Sequence, residues 1–243
     1  LDDLQCAFGA LEAFVSAKNA ENIPVYCVFD NEEVGSQTKQ GAASTFIAAV
    51  LERISEGLGL SVSEHYGKIA NSFMLSCDNA HAVHPNHPEF QDKNHAVYMN
   101  KGIVIKYNAN QRYTSDAVSA AIFALVCEEA GVPFQRYANR ADMPGGSTLG
   151  NIANTQVSLN TVDIGLPQLA MHSCYETAGV RDVPAQLQQP DLVVQGGDWV
   201  KIRRIQHFLD LLQRKFQLPE QQDVLQPLQG GVVVEAVAGG GHF

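Results

Sequence analysis

Ile23-Pro24-Val25-Tyr26-Cys27-Val28-Phe29-Asp30-Asn31-Glu32-Glu33-Val34-Gly35 is the stretch on which the architecture turns. Its first seven residues form an unbroken apolar run rich in β-branched and aromatic side chains. Without polar alternation, such a run predicts a strand covered on both faces, as happens when helices lie above and below a sheet. The run stops abruptly at Asp30, Glu32 and Glu33. Like charges this close raise one another's pKa unless water or a cation answers them, so the cluster is either a solvated acidic turn or a metal site. Reactive groups in open α/β sheets gather beyond the carboxyl ends of strands, so this position suits function.

Working outward, Leu4, Ala7, Phe8, Leu11, Phe14 and Val15 recur at helical spacing. They predict a helix to about Lys18 with one apolar stripe, and Asp2 and Asp3 at its start. In the other direction a helix is expected from about Ala42, carrying Phe46, Ile47, Val50, Leu51 and Ile54 on one side and stopping near Gly57 and Gly59. Phe73–Cys77 reads as a second interior strand that delivers Asp78, and Ile103–Tyr107 as a third. A helix from Ser115 to Ala130 is closed by Gly131 and Pro133. The Gly-rich turn Pro144–Thr148 opens a short helix, and Asn160–Ile164 supplies a further strand. This alternation predicts an α/β fold, a sheet flanked by helices.

Past Asp182 the character changes. Most of the glutamines fall there, beside Gly196-Gly197 and Gly230-Gly231, and one amphipathic helix is expected from about Val200 to Phe216. The chain therefore divides into residues 1–182 and an atypical Gln/Gly-rich tail, 183–243.

The 243 residues are 45% hydrophobic and 17% charged, which is globular composition for one or two domains. Sixteen Lys and Arg against 26 Asp and Glu give a net charge of −10, so nucleic acid and anionic membranes are poor partners. Apolar runs such as Ile103–Ile105 and Val232–Val234 are far shorter than the ~20 residues of a membrane span. Leu1-Asp2-Asp3-Leu4 lacks an initiator Met and the blocks of a signal peptide, which points to a chain that begins inside a longer protein. Five scattered cysteines without a CxxC pair argue against a disulfide framework and fit a reducing, cytoplasmic setting.

Two more segments carry candidate chemistry. Asp78-Asn79-Ala80-His81-Ala82-Val83-His84-Pro85-Asn86-His87 places an acid and three imidazoles just past a buried strand. His87 and His95 read as surface residues, whereas Asp78 needs a partner for its charge. His172 lies in the apolar Gly165–Ser173 segment, where a lone imidazole is usually a hydrogen-bonded core group. Taken together with Asp2, these positions supply the mixed oxygen and nitrogen ligands that suit two zinc ions in a hydrolase. Glu32 and Glu33 are adjacent, so one can hold metal while the other moves a proton.

The segments Leu1–Leu4, Asp30–Ser36, Ser76–Asn86 and Leu169–Ser173, in that order, resemble the M18 metallopeptidases, the aspartyl aminopeptidase family. Lys101–Lys106, Gln111–Tyr113 and Gly145–Thr148 match as well, so the likeness covers about residues 1–180. It implies a zinc-exopeptidase-like fold, a mixed and largely parallel sheet flanked by helices, incomplete at its N-terminus. The resemblance implies that Asp2 bridges two zinc ions, that Glu33 and His172 complete one of them and that Asp78 binds the other. Glu32 matches the general base, and His81, Lys106 and Tyr113 match substrate-side positions. Lys106 would pair with an acidic side chain at the substrate's N-terminus.

The implied activity is removal of N-terminal residues, Asp or Glu, from peptides by a cytoplasmic homo-oligomer. Family members carry a further zinc-binding His and an inserted oligomerisation domain, both of which would precede Leu1. An inactive fragment or scaffold that keeps the fold is therefore the alternative, and a two-metal amidohydrolase is a third reading.

Overall fold

A computed structural model of the chain describes residues 1–16 and 22–187, and the backbone of 232–237. Helix α1 (Leu4–Ser16) precedes strand β1 (Pro24–Phe29), helices α2 (Phe46–Gly57) and α3 (Val62–Ala70), and strands β2 (Phe73–Cys77) and β3 (Ala80–His81). Then come β4 (Ile103–Tyr107), α4 (Ala117–Ala130), β5 (Phe134–Ala138), α5 (Leu149–Ala153), β6 (Asn160–Gly165) and β7 (Pro167–Leu169). The last described elements are β8 (Thr177–Ala178), α6 (Asp182–Leu187) and β9 (Val232–Val237).

The main sheet has the order β1-β9-β2-β6-β4-β5. Every neighbouring pair is parallel except β4 with β6, where Ile105 faces Ile164. The mixed, largely parallel sheet is thus as the sequence predicts. A small second sheet, β3-β7-β8, grows from the carboxyl ends of β2 and β6.

Strand periodicity divides the core. Phe73, Leu75, Cys77, Ile103 and Ile105 face α1 and α4, packing against Cys6, Ala10, Phe123 and Cys127. Met74, Cys27 and Phe29 point the opposite way, toward Ile47 and Leu51 of α2 and Leu149 and Ala153 of α5. Helices therefore cover both faces, which is what lets apolar residues run on without alternation.

Three expectations need correction. Strand β1 is an edge strand, and its Val28 is 41% exposed, because one side of it has no strand neighbour among the described residues. Most of the apolar stripe read on α1 faces outward: Leu4, Phe8, Leu11 and Val15 are exposed and Phe14 is half-buried, while Ala7 joins Cys6, Ala10 and Ala13 in the interior. Small side chains let the helix backbone approach the sheet closely, and that close approach outweighed the larger apolar payload of the opposite face. The second helix begins at Phe46 rather than Ala42, after a run of turns. α3 and β5 were not anticipated. Residues 183–243, which composition sets apart as a tail, contribute β9 to the sheet between β1 and β2. Its expected helix at about 200–216, like the end of α1 near Lys18, lies outside the described residues.

Candidate metal centre

The loops that leave the carboxyl ends of β1 and β2 and the segment after β7 converge on one cavity of about 300 Å³. All eight residues singled out from the sequence line it: Asp2, Glu32, Glu33, Asp78, His81, Lys106, Tyr113 and His172. Glu32 and Glu33 sit in a single 3-10 turn entered through Asn31 at φ 61° and left through Gly35 at φ 102°. Asp30 takes no part: it is exposed and accepts a hydrogen bond from the next backbone N–H.

Two ligand-like clusters share one carboxylate. The carboxylates of Asp2 and Glu33 and the ring of His172 form the first, with His172 Nε2 3.2 Å from Asp2 Oδ2 and 3.0 Å from Glu33 Oε2. Asp2, Asp3 and Asp78 form the second. Asp3 was read only as a helix-start residue, yet it is 2% exposed and its Oδ1 accepts from Asn79 N at 3.1 Å. Its neighbour Asp2 was the only one of the pair with a functional reading; the repetition of Asp at the helix start was the signal available.

Electrostatics make this crowd costly without a counter-charge. Burial, then Asp78 and Glu33, push the Asp2 carboxyl up from 3.8 to about 7. Burial and the neighbouring Asp78 raise Asp3 well above its usual value. Glu32 is likewise raised, to about 7, by burial and by Asp78, Glu33 and Asp2. Asp2 Oδ1 and Asp3 Oδ2 are buried without any hydrogen-bond partner. Buried oxygens aimed at nothing, among carboxylates and one imidazole, are what a divalent cation completes, so the residues fit zinc.

The cationic wall is Lys106, 1% exposed, whose ammonium donates to Asp78 O at 2.8 Å, Asp78 Oδ2 at 3.1 Å and Asn79 O at 3.2 Å. Burial works against its charge, but Asp78, Tyr113 and Asp163 together outweigh the burial and the pKa rises. Lys106 Nζ also lies 5.2 Å from the centre of the Tyr113 ring. His81, exposed at the rim, is held toward its neutral form by burial of its ring and by Lys106. His87 and His95 are on the surface beside Glu89 and Asp92, as read.

The family model of the aminopeptidase I zinc metalloproteases (M18) matches residues 1–189. The chain belongs to the M18 family. It is 48% identical over 182 residues to the "Probable M18 family aminopeptidase 2" of Clostridium acetobutylicum, covering 75% of this chain and 42% of that protein. The fold is similar to a chain in the cryo-EM structure of the Ape4–Nbr1 complex, with a TM-score of 0.71 at 31% identity over 93% of this chain and 42% of that one. It is also similar to the S. cerevisiae mApe1 dodecamer structure, TM-score 0.66 at 26% identity, covering 89% and 47% of the respective chains. The chain spans less than half the length of each of these proteins.

One further residue of this M18 chain acts on the cluster without joining it. Glu176 Oε1 accepts from His172 N at 2.8 Å, and its Oε2 accepts from Asp2 N at 3.3 Å. His172 has φ 66°, the left-handed region that a residue with a Cβ enters only when held there. Glu176 therefore ties the backbones of two candidate ligand positions that lie 170 residues apart. Nothing in the spacing of Tyr175-Glu176-Thr177 marks it, because it works through main-chain N–H groups.

Proposed function

We propose that this chain carries the metal-binding and proton-transferring part of a zinc aminopeptidase that removes N-terminal residues, preferably Asp or Glu, from peptides. The observation that carries the reading is the sharing of Asp2 between two ligand clusters, with Glu32 beside them in the same cavity. Asp2 would bridge two zinc ions, Glu33 and His172 would complete one and Asp78 the other. Bound zinc would polarise the scissile carbonyl and lower the pKa of the attacking water.

The chain's own groups do the rest. Glu32, adjacent to a ligand but free of the clusters, takes the proton of the water and returns it to the leaving amine. Burial of the Glu32 carboxyl, the largest cause of its raised pKa, suits a group that both takes and returns a proton. Lys106 and His81 bound the side where the substrate's first residue would sit. Asp78, once its charge is engaged by a cation, no longer fully balances the Lys106 ammonium. That leaves a buried positive wall, which selects an acidic side chain. Assembly as a homo-oligomer is inferred from the dodecamer that the similar yeast enzyme forms.

The test is zinc content per chain together with cleavage of an N-terminal aspartyl amide. Two zinc ions and turnover support the reading, and Glu32→Gln should then lower kcat by about 10²–10⁴-fold with zinc retained. Lys106→Met should reduce the preference for aspartyl over alanyl amides rather than abolish both. Fewer than two metals and no turnover, unrescued by supplying the segment that precedes Leu1 in the relatives, would instead mark a scaffold that keeps the fold.

A further inference from the structure

Asp163 lies in β6, fully buried at 0% exposure, and belongs to neither ligand cluster. Among the described residues no cation forms an ion pair with it, although its charge helps to hold Lys106 protonated; its carboxylate accepts from two donors in two separate loops. One oxygen, Oδ2, accepts a short hydrogen bond from Thr114 N, in the loop after β4 that carries Tyr113. The other, Oδ1, accepts from the Thr148 hydroxyl at 2.7 Å, in the Gly-rich turn ahead of α5. The Asp163 backbone adds a link, since its N–H donates to Ser115 Oγ at 2.9 Å.

Both loops form the wall of the cavity: Tyr113 from the first, and Gly146, Ser147 and Thr148 from the second. The two loops leave the paired strands β4 and β5, and Asn108 Nδ2 donates to Asn139 Oδ1 at 2.9 Å near their starts; beyond that point the Asp163 carboxylate joins them. The closeness of fit behind the carboxylate is also visible at Gly150, where a Cβ would stand 2.7 Å from Asp163 Oδ1. The side chain must be an acid for a simple reason: it has to accept on both oxygens. An amide in its place offers one acceptor and turns an N–H₂ group toward a donor.

We propose that Asp163 is a positioning residue whose buried carboxylate clasps the Tyr113 loop to the Gly145–Thr148 turn, fixing the substrate wall of the cavity opposite the metal ligands. The link to substrate rests on the aminopeptidase reading above, whereas the clasp itself does not. Removing it frees two loops without touching a metal ligand, so substrate binding suffers more than the chemical step.

The experiment uses the full chain loaded with zinc and the variants Thr148→Val, Thr148→Ser and Asp163→Asn. Amide hydrogen exchange read by mass spectrometry should quicken about tenfold in residues 111–116 and 145–149 of Thr148→Val, as expected for loss of a hydrogen bond to a charged group, and nowhere else. For aspartyl p-nitroanilide, KM should rise about tenfold while kcat falls less than threefold, with zinc content preserved. Thr148→Ser, which restores the hydroxyl, should return both readouts to those of the parent chain. Asp163→Asn should show the same pattern more strongly.

Exchange at 111–116 that ignores Thr148→Val would overturn the clasp. So would a failure of Thr148→Ser to rescue, or a parallel loss of zinc, kcat and protection throughout the chain. A parent chain that binds zinc yet cleaves nothing would defeat the aminopeptidase reading alone, and the exchange pattern would still decide the clasp.

Discussion

Glu176 binds no candidate ion, yet the backbones of Asp2 and His172 both hang on its carboxylate. Partners of this kind orient ligands, and their loss typically costs 10–100-fold in metal affinity. Glu176→Ala should therefore weaken zinc binding by about that factor while the far-ultraviolet circular dichroism stays that of the parent; an unchanged zinc Kd would show that His172 keeps its left-handed backbone unaided. At this scale the sequence was informative where chemistry is concentrated. That Asp2, Glu33, Asp78 and His172 line one cavity could be expected from the order of the motifs that carry them and, for Asp78, from a charge that follows an apolar run. Asp3 and Glu176 were not legible, since the first duplicates its neighbour and the second acts through main-chain N–H groups that no side-chain pattern reports.

Among the elements, α5 packs closely against β2 and β6. A methyl group at Gly150 would come within 2.8 Å of Ser76 Cβ and 2.7 Å of Asp163 Oδ1, neither of which is the free end of a flexible chain. Gly150→Ala should thus destabilise the fold by about 1–3 kcal/mol, against the gain usual for alanine in a helix, as read by urea denaturation. Stabilisation would mean that α5 can ride away from the sheet.

Interior strands were the easiest elements to foresee, because Phe73–Cys77 and Asn160–Gly165 are buried almost throughout. Helix α1 was foreseen as a helix but turned the wrong way round. Periodicity finds a stripe of large apolar residues, yet the sheet accepted the stripe of Cys and Ala that let it come closer. β5 escaped notice because Gln135 and Arg136 break its apolar run at the sheet edge.

For the molecule as a whole, the acidic cluster couples stability to protons. Asp2 and Glu32 are raised to about 7 from 3.8 and 4.5. Between those limits the folded, metal-free chain holds more protons than the unfolded one. The contribution of Asp2 and Glu32 to stability should accordingly be full below about pH 4, fall as pH rises toward 7, and level off above that. Zinc should reverse the trend, because rising pH removes the protons that compete for the ligands. Calorimetry at pH 5 and pH 8, with zinc and with a chelator, checks both signs; a metal-free chain whose Tm climbs between these values would contradict the crowding of charge described above.

Strand β9 sets the two acidic arms apart. β1, which ends just before Glu32 and Glu33, and β2, which ends at Asp78, are each hydrogen-bonded to β9 and not to one another. On a ribosome, residues 24–33 and 73–78 emerge before the spacer that sets the gap between them, which is encoded more than 150 residues later. Until Val232–Val237 is threaded in, the halves of the cluster have no common ruler, so competence to capture a cation is acquired late in synthesis rather than built up step by step.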